Sequence, residues 1–296
     1  MKKLIPLLLL MLMACEKEVN LNLSSGASRL VVDGQIESGG YPVVILTKSV
    51  GYFSTIDLET MESSFVHDAL VRITDGIDTV TLREYSLDTG LLGASQFYLY
   101  TVDTGDFQAL QFTGKTEGTY TLLIEHEGNI YSSSTKIPNV DPVDSIWVRP
   151  PAGEPVVPTA MMLFIRYKDP DTLGNYVRYF TQRNNELFLP GIYSVYSDEF
   201  INGTVIDSLF ISAGHNRGRR PNLDSLGYFF RGDTVTLRWS AIDQKVYDFY
   251  RSFEYAIGTV GNPFAAPVNV ETNISGGALG VWAGYGSTYS TIVISP

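Results

Sequence analysis

Three histidines, His67, His126 and His215, are the first places to look for acid–base or metal chemistry. None falls in a His-Glu-x-x-His run, and no close pair could clamp zinc. His126 stands between Glu125 and Glu127 and reads as a solvated turn in preference to a surface metal contact. The chain has no Gly-x-Ser-x-Gly elbow for a hydrolase nucleophile and no Gly-x-x-x-x-Gly-Lys loop for phosphate. Asp169-Pro170-Asp171-Thr172-Leu173-Gly174-Asn175 spaces hard oxygen donors as a calcium loop would. Leu173 takes a ligand position and no Glu closes the loop, so a turn held by Asx hydrogen bonds is preferred. No catalytic residue, cofactor-binding residue, cofactor or metal ligand is therefore predicted, and the chain is expected not to be an enzyme.

Candidate ligand or partner contacts are of two kinds. His215-Asn216-Arg217-Gly218-Arg219-Arg220-Pro221 is the one basic cluster in an acidic chain. Arg217, Arg219 and Arg220 could grip an anionic ligand or a carboxylate-rich partner, or simply balance neighbouring acids. The aromatics Trp147, Tyr193, Tyr196, Trp282 and Tyr285 fall in loop-rich sequence, where rings stack on sugars or anchor interfaces. For Trp282 and Tyr285 a core position is the preferred alternative. Gly276–Gly286 does not follow a strand and open a helix as a dinucleotide site requires. Its glycines read as letting a strand and loop approach the preceding helix closely.

The remaining reactive residue is Cys15, the only cysteine. It follows Lys2 and Lys3, an apolar run from Leu4 to Met13, and Ala14. That run is shorter than the ~20 residues of a membrane-spanning helix and fits a signal peptide. Leu12-Met13-Ala14-Cys15 resembles a bacterial lipobox, in which the cysteine becomes the lipidated N-terminus. Residues 1–14 are thus expected to be a lipoprotein signal peptide and 15–28 a lipidated flexible tether. With Cys15 lipidated, disulfides and thiolate metal sites are excluded. Removing Lys2 and Lys3 takes the net charge of −11 to −13. Such a chain lacks an electrostatic footprint for nucleic acid, and only its acyl chains would hold it to a membrane.

The elements that must position these residues read as strands. Leu30–Ile36, Val43–Thr47, Ala69–Thr74, Asp78–Arg83 and Gln96–Tyr100 are short, β-branched or aromatic, and bounded by turn residues. Gly118–Ile124 and Asn129–Ser134 pair across Glu127-Gly128, and Tyr120 matches the tyrosine corner of immunoglobulin-like sandwiches. Pro138 and Pro142 mark a boundary. The fold expected is mainly β, with an immunoglobulin-like β-sandwich over 29–138. A second β-rich, sandwich-like domain carrying one helix follows over 139–296. In it, Ala160–Tyr167 and Asn175–Thr181 read as a hairpin, and Arg183–Arg231 reads as long loops. Val235, Leu237 and Trp239 share one strand face. A helix near 242–257 is predicted from Ile242, Val246, Phe249, Phe253 and Ile257, with Ser240 as its cap and Gly258 as its stop.

These features together resemble one family. The lipobox, Leu30-Val31-Val32-Asp33-Gly34, the Pro-rich crossing, Asn262-Pro263-Phe264 and Asn273–Tyr285 are similar to Bacteroidota outer-membrane lipoproteins known as domain of unknown function 4249. The resemblance implies an outer-membrane, lipid-anchored, surface-exposed protein, accessory to a TonB-dependent nutrient transporter. Apart from the resemblance, a glycan or peptide is a further candidate ligand. It supplies no catalytic residues. In that lineage Glu16-Lys17-Glu18 resembles a surface-export signal. Asp-Ser or Asp-Thr before an aliphatic residue, as at Asp78 and Asp144, resembles an O-glycosylation site. The alternatives are a surface glycan hydrolase using paired carboxylates, and a structural or adhesive surface protein.

Overall fold

Leu30, Val32 and Ile36 are buried on one face of β1 (Leu30–Glu37), while Asp33 and Gln35 face outward on the other, the period of two that a half-buried strand requires. The computed structural model describes residues 27–51, 57–88, 96–153, 157–216, 225–260, 262, 264–266 and 268–296. Cys15, the signal peptide and nearly all of the tether lie outside them, as do Arg217, Arg219 and Arg220. The chain is mainly β, in several sheets with one main helix, and the sheets stack as sandwiches.

In the first half, β1 pairs with β2 (Val43–Lys48), and β2 with β6 (Phe97–Thr101), which in turn pairs with β5 (Arg83–Leu87). The facing sheet is β4 (Thr79–Thr81), β3 (Leu70–Thr74), β7 (Thr119–His126) and β8 (Asn129–Lys136). A short helix, α1 (Leu58–Ser64), is capped by Asp57, which accepts from the Thr60 amide. The sequence Asp78–Arg83 is two strands rather than one. Leu82 donates its N–H to Val71 O and then the chain leaves for the opposite sheet. The β7–β8 hairpin turns at Glu127 and Gly128, both at positive φ. Tyr120 forms the corner: its hydroxyl accepts from Lys115 N at 2.7 Å and donates to Thr113 O at 3.3 Å.

The second half stacks β12 (Leu189–Ser197), β11 (Tyr176–Arg183) and β15 (Thr234–Ile242) on a sheet centred on β10 (Ala160–Lys168). Flanking β10 are β9 (Ser145–Arg149), β13 (Val205–Ile211) and β14 (Phe229–Phe230). Val235, Leu237 and Trp239 all point into this core. Two expectations are corrected. β10 and β11 are not a hairpin, because they lie in different sheets. The reason is Asp198, which accepts from the Gly174 and Asn175 amides and holds the connection as a crossover. The stretch expected to be long loops contains β12 and β13, paired with β11 and β10.

The last strand, β16 (Leu279–Val293), joins the two halves. Val31 to Glu37 pair in parallel with Leu279 to Tyr285, and Thr234 to Ala241 pair antiparallel with Val293 to Gly286. The result is one eight-stranded sheet, β12-β11-β15-β16-β1-β2-β6-β5, running through both sandwiches. The Gly-rich stretch is therefore largely strand. Its glycines meet backbone, not the helix: a Cβ on Gly280 would collide with Val32 O, and one on Gly284 with Lys136 O. Trp282 projects from β16 into the first core, where its indole N–H donates to Tyr120 O at 2.9 Å.

The long helix, α2 (Gln244–Gly258), covers the outer face of this shared strand. Val246, Phe249 and Tyr250 pack on Val281, Ala283 and Tyr285. Each such aliphatic or aromatic side chain, once buried, contributes about 1.5–3 kcal/mol. The cap is Asp243, not Ser240: one oxygen accepts from Val246 N at 2.9 Å. Ser240 is buried inside β15, hydrogen-bonded to Ser287. The other Asp243 oxygen accepts from the Thr135 hydroxyl and the Lys136 amide, tying the helix to the first sandwich.

Candidate functional site

Burying one helix face on β16 turns the polar face of α2 toward solvent beside β12. Tyr247, Asp248, Arg251, Ser252, Glu254 and Tyr255 of the helix face Tyr193 and Val195 of β12 across a groove of about 590 Å³. Val268 and Glu271 close its side. Ser252 fixes that wall, since its hydroxyl accepts from Glu271 N at 2.9 Å and donates to Phe249 O. The rings of Tyr193 and Tyr255 remain 64% and 50% exposed, so both offer faces to a ligand.

Behind the groove lies a buried polar network. Glu254 accepts from the Ser194 amide at 2.9 Å and from the Ser194 hydroxyl at 2.5 Å. The Arg178 guanidinium donates to Ser194 Oγ at 3.3 Å and to the Tyr285 hydroxyl at 2.8 Å. It also stacks on the Tyr250 ring, 3.2 Å from its centroid. Burial works against charge on Arg178, but Tyr250, Tyr285 and Glu254 outweigh it and hold the cation protonated. Burial is also the main reason the Tyr250 hydroxyl is pushed well up. A second arginine, Arg238, sits 3.2 Å from Glu37 and stacks over Phe180 and Tyr285. Glu37 also accepts from the Tyr289 hydroxyl, whose pKa burial and that bond push up to about 12. These groups link β11, β12, β15 and β16 under the helix, so the groove floor is braced by side-chain contacts.

Electrostatically the groove is acidic. Burial raises the pKa of Asp248 first, and the charge of Glu271 raises it further, while Arg251 pulls it back. Arg251 lies over the Tyr247 ring at 6.0 Å.

The predicted contact residues fall in different places. Tyr193 lines the groove. Trp282 and Tyr285 are 0% and 1% exposed, which is the core alternative, and neither offers a face to solvent. Tyr196 stacks on Tyr179 and Trp239 against the second core. Trp147 stacks on Phe164, with Arg149 above both rings. His126 lies 3.5 Å from Glu127, and Glu125 is engaged by Arg72. Among the described residues, no three His, Cys, Asp or Glu side chains converge as a metal site. Asp169 is buried and accepts from Gly203 N, which makes its loop a braced turn. The sequence signal for the Arg178–Glu254 network is a lone arginine inside Tyr176-Val177-Arg178-Tyr179-Phe180, the mark of a buried, partnered cation.

The fold and groove define a mainly β, double-sandwich protein with one helix packed on a sheet shared by both halves. The chain belongs to the family described as Domain of unknown function (DUF4249), whose model matches residues 16–291. No curated protein matches it.

Proposed function

We propose that this protein is a Bacteroidota outer-membrane lipoprotein, tethered through Cys15 and exposed at the cell surface. In this reading it acts without catalysis as a binding partner of a TonB-dependent nutrient transporter. The observation that carries a binding role is the α2–β12 groove, where Tyr193 and Tyr255 face solvent above the hydrogen-bonded Arg178–Ser194–Glu254 network. Exposed aromatics around a preformed recess are what a recognition surface needs. The lipobox-like N-terminus and the family resemblance supply the location and the class of partner.

The test is affinity isolation of tagged, lipidated protein from native outer membranes, with Cys15→Ala as the anchoring control. Stoichiometric recovery of a TonB-dependent transporter, lost with Cys15→Ala, supports the reading. Recovery of the protein alone overturns it. A second reading, glycan hydrolysis by paired carboxylates, takes its support from Asp248 and Glu271 on the same groove. It predicts turnover of a surface polysaccharide that Asp248→Asn abolishes.

A further inference from the structure

The groove has a chemical character that narrows what it can hold. Two accessible carboxyl side chains, Asp248 and Glu271, line it beside one cation, Arg251, while Glu254 borders it from below, buried and engaged by Ser194. Asp248 and Glu271 oppose each other electrostatically, so an arriving positive charge would relieve an existing repulsion. Tyrosine faces add to this, because a cation over a ring is attracted to it and its aliphatic stem packs on the ring.

Apolar exposure continues past the groove. Ile257 is 40% exposed at the end of α2. Along the segment leading to the groove wall at Val268, Val260 is 82% and Phe264 95% exposed. Apolar side chains exposed this close together along the chain offer a surface that a partner's apolar groups would cover. A small free cation would leave them uncovered, and an anionic polymer would be repelled by the carboxylates. An extended chain alternating apolar and basic groups would satisfy both features.

We infer that the α2–β12 groove and its apolar flank dock an extended segment of a partner protein in which a lysine or arginine lies between apolar residues. This rests on the binding role proposed above and names the chemistry of the partner's segment. The basic side chain enters between Asp248 and Glu271 with its stem on the tyrosines. Its apolar neighbours cover Ile257 and Phe264.

The test uses the full mature chain and a fluorescein-labelled peptide of alternating leucine and lysine, followed by fluorescence anisotropy. The controls are the leucine–glutamate counterpart and a labelled neutral oligosaccharide. Binding of the lysine peptide is expected, weakened by added salt and by about tenfold or more in the double variant Asp248→Asn, Glu271→Gln. Tyr255→Ser, a change at an exposed position, should weaken it also. The proposal is overturned by no binding of the lysine peptide, equal binding of the glutamate peptide, binding insensitive to these variants, or binding of the oligosaccharide alone. The membrane isolation separates this from the broader reading. If a transporter is recovered equally with wild type and with the groove variants, the accessory role stands and this surface is wrong.

Discussion

Single side chains hold this molecule together at two places where a polar group is enclosed. The Tyr120 hydroxyl serves the Lys115 amide and the Thr113 carbonyl at once. Tyr120→Phe leaves that amide without its acceptor and should cost about 1–3 kcal/mol, read as a lowered denaturation midpoint. A midpoint equal to wild type would show that the Tyr120 corner does not stabilise the first sandwich. The buried guanidinium of Arg178 is the second place. Arg178→Met should destabilise by about 3–5 kcal/mol because Glu254 loses its charged counterpart through Ser194. In a Glu254→Gln background the same change should cost clearly less. A double-mutant cycle with no coupling would show that the two ends of the network are independent.

Elements differ in how readily the sequence reveals them, and the reason lies in how many faces each one buries. The β7–β8 hairpin and α2 each bury one main face, so Leu122 and Ile124, or Val246 and Phe249, recur at the expected period. β15, though buried on both faces, still alternates because its second face buries the polar Arg238 and Ser240. β16 is buried on both faces from Val281 to Gly286, and its small residues show no alternation. Read alone it looks like a loop; only the backbone it touches explains the glycines. Gly284→Ala would drive a Cβ into Lys136 O. It should cost about 1–3 kcal/mol by overpacking, and a change under about 0.5 kcal/mol would contradict the close approach. β12 and β13 were hidden by Pro190-Gly191 and Asp207-Ser208, which read as turn residues. In β13 the polar pair is exposed, on strand positions that need not be apolar. The groove was legible only in part. Tyr193 stands out as an aromatic, but Asp248, Glu254 and Tyr255 lie on the helix face that apolar periodicity passes over.

At the scale of the whole molecule, charge and connectivity set the behaviour. The chain carries a net charge of −11. Asp169 and Asp248 have folded pKa values raised chiefly by burial, and so does Asp33, which the surrounding sheet and helix hem in although solvent reaches it. A raised carboxyl binds its proton more tightly folded than unfolded. Stability should therefore increase as pH falls from neutral toward the ordinary carboxylate range. Asp57, Asp75, Asp103 and Glu117 are shifted the other way, the first three mainly by backbone amides and Glu117 mainly by Lys136. Their contribution is present above the ordinary carboxylate pKa and is lost as pH falls through their folded values. Thermal melts across pH should show a maximum on the acid side of neutrality; a steady loss of stability from pH 7 downward would contradict this assignment.

Connectivity decides whether the molecule is one cooperative body, because β16 pairs with β1 of the first sandwich and β15 of the second. Trp282 reports the first core and Trp239 the second. Equilibrium denaturation should therefore be followed in two variants. Trp147→Phe with Trp239→Phe leaves Trp282, and Trp147→Phe with Trp282→Phe leaves Trp239. Each should be scored against its own circular dichroism transition. If β16 joins the sandwiches, the tryptophan signal and the backbone signal in each variant change together in one cooperative step. A tryptophan transition separated from the backbone transition would show that each sandwich unfolds alone, and that β16 does not join them.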